Sequence, residues 1–110
     1  MFKNVERVED IAEVFKSGKY VGDTIVLFYG TEQCPPCKMM KQWIATNVKK
    51  DVVLFIDVEQ FPELAEKNNI QAVPMLFLYR YDRDEEGNYS VVEIATIKGY
   101  NVQKLQTYVM

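Results

Sequence analysis

The stretch TEQCPPCKMM, residues 31–40, holds both cysteines of this 110-residue chain. Cys34 and Cys37 stand three positions apart, with Pro35 and Pro36 between them. Such a pair can be half of a metal site, a crosslink or a reaction centre. Two thiolates supply half of a four-thiolate zinc site, and the chain has no histidine to complete it. A Cys34–Cys37 bridge closes a very small loop, so it constrains the unfolded chain little. A structural staple is therefore a poor explanation, and a redox centre is the better one.

The segments around the pair supply a context. Residues 25–29, IVLFY, are a continuous apolar run that predicts a strand buried on both faces. Residues 35–48 place Met40, Ile44 and Val48 on one helical face, with Trp43 beside it. The cysteines thus fall where a strand gives way to a helix. In open α/β sheets, function lies beyond the carboxyl ends of the strands. A helix start offers unpaired N–H groups and the positive end of the helix dipole. Cys34, at the cap, is expected to be stabilised as a thiolate and to attack. Cys37, one turn further in, is expected to stay protonated until it resolves the mixed disulfide. Pro35 and Pro36 pre-set helical φ values but remove two N–H donors. The two effects oppose each other, and the sequence does not sign their sum.

Elsewhere, Val8, Ile11, Ala12 and Phe15 predict the inner face of a helix over 8–18, stopped by Gly18. VVLFI (52–56) predicts a second buried strand, and PELAEKNN (62–69) a short helix opened by proline. MLFLYRY (75–81) and YSVVEIATI (89–97) predict a hairpin around the polar turn DRDEEGN. Asn101 is expected to cap a last helix with Val102, Leu105 and Val109 inward. Residues 1–6 are a candidate edge strand. Alternating helices and strands predict one α/β domain over 1–110, its sheet covered by helices on both faces.

Composition narrows the partners. The net charge is −3, and Lys49-Lys50 is the longest basic run, which argues against nucleic acid. No window approaches a membrane span, and MFKNVERVED does not read as a signal peptide, so the expectation is a cytoplasmic protein with no membrane partner.

Several separated segments resemble the thioredoxin family. CPPCK after a strand resembles its active-site segment. IQAVPMLFLY (70–79) is similar to the segment carrying its cis-proline, which would make Pro74 that residue. KGY (98–100) resembles the segment before its last helix, with Gly99 lining the substrate groove. The resemblance covers nearly the whole chain. It implies a thioredoxin fold, with a mixed sheet of four to five strands and about four helices. It also implies a monomeric thiol–disulfide oxidoreductase without a metal or organic cofactor. The partners would be protein disulfides and a thioredoxin-reductase-like electron donor. The implied groove comprises Gln33, Pro35, Pro36, Val58, Ala72, Val73, Pro74, Gly99 and Tyr100. Lys38 would act mildly on a nearby thiolate. Glutaredoxins, by contrast, carry a Gly-Gly-x-Asp motif, whereas Tyr100 follows Gly99 here.

Departures from the family pattern fall around Cys37. Gln33 stands where a tryptophan usually precedes the first cysteine. Phe28 stands at the position of a buried aspartate, and Phe55 at that of its lysine partner. Losing both charges is tolerable, whereas losing one would strand the other. Gln42 replaces a helix-kinking proline. Within the class, an oxidase or isomerase is the alternative to a reductase. Outside it, the alternative is a binding subunit with idle cysteines.

Overall fold

The computed structural model describes residues 1–109. Its elements run β1 (Phe2–Asn4), α1 (Val8–Lys16), β2 (Thr24–Gly30), α2 (Pro35–Asn47), β3 (Val52–Asp57), α3 (Pro62–Lys67), β4 (Met75–Arg83), β5 (Tyr89–Lys98) and α4 (Val102–Tyr108). One sheet has the order β1-β3-β2-β4-β5. Its β1, β3 and β2 strands are parallel, and β4 and β5 are antiparallel additions.

The two apolar runs become the central strands because both of their faces are covered. Val26 and Phe28 of β2 join Val53 and Phe55 of β3, Leu76 and Leu78 of β4 and Ile97 of β5 in one cluster. Met40 and Ile44 of α2 and Leu105 of α4 close that cluster. On the other face, Ile25 and Tyr29 pack with Leu54, Ile56 and Tyr81, under Val14 of α1. Strand periodicity sends alternate residues to opposite layers, so the inner positions of both strands are covered on whichever face they point to.

The outer elements depart from expectation in instructive ways. Val8 was expected inward, yet it is 48% exposed, and Val14 is buried instead. The inner stripe of α1 is Ile11, Val14 and Phe15. Asp10 is also buried, which no apolar periodicity predicts. Its Oδ2 accepts N–H bonds from Glu6 (3.0 Å) and Arg7 (3.1 Å), so it satisfies the amides at the helix entry.

The helix ends also differ. The first ends at Lys16 rather than at Gly18, with Ser17 N–H bonding to Glu13 O at 3.0 Å. The third ends at Lys67, because Asn69 turns to φ 57° and stops propagation. The strand β4 runs to Arg83, so Asp82 and Arg83, expected in the turn, pair with Ser90 and Tyr89. Asp84 makes the turn, its Oδ1 accepting the N–H of Glu86 and Asn88 at 2.9 and 2.8 Å. Asn101 caps α4 as expected, accepting the Lys104 N–H at 3.1 Å. Leu105 and Val109 are buried, and Val102 is half-buried.

Two outcomes test these contacts. Asn101→Ala should lower the unfolding free energy by about 1 kcal/mol in urea denaturation. The Arg7 and Glu6 amides hold the Asp10 carboxyl below its ordinary 3.8. The unfolded chain therefore binds that proton first. The stabilisation is complete above the ordinary value and drains as pH falls through the native one. Asp10→Asn should lower Tm at neutral pH, and the gap to wild type should narrow as pH falls below the ordinary carboxylate value.

Candidate functional site

The site forms where β2 ends and α2 begins. Cys34 is the N-cap of α2, with extended φ and ψ of −88° and 113°. Pro35 and Pro36 occupy the first two helical positions and offer no N–H. The first amide able to reach the cap is that of Cys37, and it donates to Cys34 Sγ at 3.3 Å. The sulfur thus takes the place that a serine or aspartate oxygen fills at an ordinary cap. The Lys38 N–H then bonds to Cys34 O at 3.1 Å and starts the helix ladder. The prolines strip the first two donors but leave the one that counts.

The two sulfurs have opposite surroundings. Cys34 is half-buried, and Cys37 is fully buried. Burial pushes the Cys37 thiol up to about 12, and its hydrogen bond to Cys34 adds to the shift. The Thr31 backbone N–H opposes it. Both cysteines are free thiols.

Across the groove, the Val73–Pro74 peptide is cis, as the resemblance implied. That bond presents Val73 O towards Cys34 Sγ at 3.9 Å. Pro74 is buried, and its carbonyl accepts the Gly99 N–H at 2.9 Å. Gly99 has φ 77°, a conformation that favours glycine. The fold therefore brings Cys34, Cys37, Val73, Pro74 and Gly99 together from three separate segments. Gln33, Pro35 and Pro36 are exposed on the rim, as is Lys38. Val58 is half-buried and Ala72 exposed. Tyr100 packs against the core below α2 and lines a groove with Met39, Gln42 and Trp43. Phe28 is buried and meets Phe55 edge to face, with centroids 5.0 Å apart. The position of the expected charge pair is thus a T-shaped aromatic contact.

Sequence reasoning passed over Gly30 and Lys41. A Cβ on Gly30 would lie 2.9 Å from Phe55 Cε2 and 3.2 Å from both Cys37 Sγ and Phe28 Cε1. The missing side chain lets sulfur and rings converge there. A glycine ending a strand is the signal for such an approach. Lys41 Nζ stands 3.7 Å from the Phe55 centroid and 3.0 Å from Glu32 Oε1. Its signal was the four-residue spacing from Cys37, which puts both on one helical face. Among the described residues, no group of three His, Cys, Asp or Glu could hold a metal ion, and no helix is long and apolar enough to cross a membrane.

Similarity to known proteins agrees with this geometry. The chain is 36% identical over 70 residues to thioredoxin H3 of Arabidopsis thaliana, covering 61% of this chain and 59% of that protein. It is 31% identical over 102 residues to monothiol glutaredoxin-4 of Schizosaccharomyces pombe, covering 90% of this chain and 37% of that one. The matches thus span less than two thirds of these relatives. Among solved structures, the germline-specific thioredoxin Deadhead of Drosophila melanogaster superposes with a TM-score of 0.70 at 27% identity, covering 96% of this chain and 93% of that one. Plasmodium falciparum thioredoxin shares the fold with a TM-score of 0.77 at 23% identity, covering 99% and 88%. The thioredoxin family model matches residues 9–103, across the strand, the cysteine pair and the cis-proline, and the chain belongs to that family.

Proposed function

We propose that this chain is a thiol–disulfide oxidoreductase that reduces protein disulfides. The observation that carries the reading is the inequality of the two thiols. Cys34 Sγ is half-exposed at a helix N-terminus, with an N–H 3.3 Å away, and Cys37 waits buried behind it. The Cys34 thiolate attacks one sulfur of a substrate disulfide and releases the other as a thiol. Cys37 then attacks Cys34 Sγ, frees the second substrate sulfur and leaves the Cys34–Cys37 disulfide. Two electrons pass from protein to substrate, and the dithiol itself carries them.

The substrate enters as an extended segment along the Val73 backbone, whose carbonyl faces the Cys34 sulfur. Such a mode selects for backbone rather than for side chains, and it suits many protein disulfides. Gln33, Pro35, Pro36 and Gly99 form the rim of this groove in the proposal, and Tyr100 braces it from the α2 side. Electrons return from a donor of the thioredoxin-reductase kind. A monomer of one domain working in the reducing cytoplasm completes the reading.

Insulin reduction with dithiothreitol as donor tests it. Wild type should accelerate insulin precipitation, and Cys34→Ser should fall to the rate of buffer. Turnover surviving in Cys34→Ser would sink the assignment. Direction is tested by equilibration with glutathione. A reductase should show a dithiol potential near about −270 mV, and a value near about −120 mV would make the chain an oxidant instead.

A further inference from the structure

Resolution needs a thiolate from Cys37, which is fully buried and reluctant to ionise. The titratable or charged groups placed about it are Cys34 at the cap of α2, Lys38 and Lys41 on that helix, and Glu32 in the loop before it. Asp57 ends β3, Lys98 ends β5, and Tyr100 follows. Lys38 and Lys98 are exposed. Asp57 Oδ1 accepts the Glu59 N–H at 2.9 Å, and Tyr100 is packed on the core.

Lys41 is the cation held in place. Its ammonium stands over the Phe55 ring, 3.7 Å from the centroid, and is tied to Glu32 Oε1 at 3.0 Å. Its side chain is only 25% exposed. Two restraints from different elements fix one flexible side chain, which an ordinary surface lysine does not show. The ring beneath the ammonium leads towards Cys37. Its Cε2 edge borders the spot above Gly30 that Cys37 Sγ also borders. Lys41 follows Cys37 by four residues, so the two side chains leave α2 on one face. The Glu32–Lys41 pair closes the loop against the second turn of α2. The Phe55 ring lies beneath the ammonium and its Cε2 edge comes near Cys37 Sγ, and such apolar surroundings screen the field of a charge less than water does.

We infer that Lys41 is a positioning residue for the resolving step, its ammonium held by Phe55 and Glu32 so as to favour the thiolate of Cys37. This rests on the oxidoreductase reading above. In the step, Cys37 gives its proton to solvent and its sulfur bonds to Cys34 Sγ. The Cys34–substrate bond breaks, and the departing substrate thiolate takes a proton from solvent. The dithiol is oxidised and the substrate reduced.

The test reads Cys37 directly and needs no turnover, so it can fail while the activity stands. In a Cys34→Ser background, Cys37 is the sole thiol, and its thiolate fraction is read at neutral pH as the rate of its alkylation by iodoacetamide. Lys41→Met keeps an apolar stem over Phe55 and removes the charge. It should reduce the thiolate fraction at fixed pH about fivefold, whereas Lys41→Arg should stay within about twofold of Lys41. Lys38→Met, one residue after Cys37 but exposed, should also stay within about twofold. A Lys41→Met rate equal to that of Lys41 overturns the inference, and so does an equal drop from Lys38→Met. Should Lys41→Met not fold by circular dichroism, Lys41→Gln takes its place and should give the same drop of about fivefold, and an unchanged thiolate fraction overturns the inference.

Discussion

Everything at the site depends on a close approach at Gly30. Two aromatic rings and a sulfur converge on a backbone that has no side chain. Any Cβ there would meet Phe55 Cε2 at 2.9 Å, closer than packed atoms allow. This contact sets how near α2 lies to the end of β2. It holds Cys37 in the core and leaves Cys34 at the rim. The rings of Phe28 and Phe55 fill the volume with an edge-to-face pair, which needs no partner charge and no buried water. The apolar substitution at both positions is therefore coherent as packing. Its chemical consequence is a Cys37 thiol in a poorly solvating pocket, pushed up to about 12.

The same three-residue spacing thus yields two different thiols. The helix N-terminus favours negative charge at the cap, and burial penalises it one turn later. For Cys37, burial and the contact with Cys34 outweigh the Thr31 amide. The double proline limits the first effect. It silences the first two amides and leaves the Cys37 N–H as the donor to Cys34 Sγ. One cysteine's backbone therefore stabilises the sulfur of the other.

Much of this was legible in the sequence, for identifiable reasons. IVLFY and VVLFI read as two-sided strands because continuous apolar runs have few other uses at that length. Asn101 read as a cap because its side chain competes for backbone amides locally. Pro74 and Gly99 were found through family resemblance, since neither composition nor period marks a cis bond. What escaped depended on contacts made in three dimensions. The inner face of α1 is turned from the Val8 stripe because Asp10 folds back onto the helix entry, a polar contact invisible to hydrophobic period. Lys41 escaped because a lysine on a helix is normally solvated, and only the fold sets Phe55 beneath it. Gly30 escaped because the three groups that need its bareness lie on β2, α2 and β3.

The central claim is that Cys34 attacks and Cys37 resolves. Trapping a mixed disulfide tests it most directly. Cys37→Ser should accumulate a covalent adduct with a disulfide-containing protein, seen by intact-mass analysis, mapped to Cys34 and released by dithiothreitol. Cys34→Ser should accumulate none. An adduct that forms on Cys37 in Cys34→Ser as readily as on Cys34 in Cys37→Ser would contradict the division of roles.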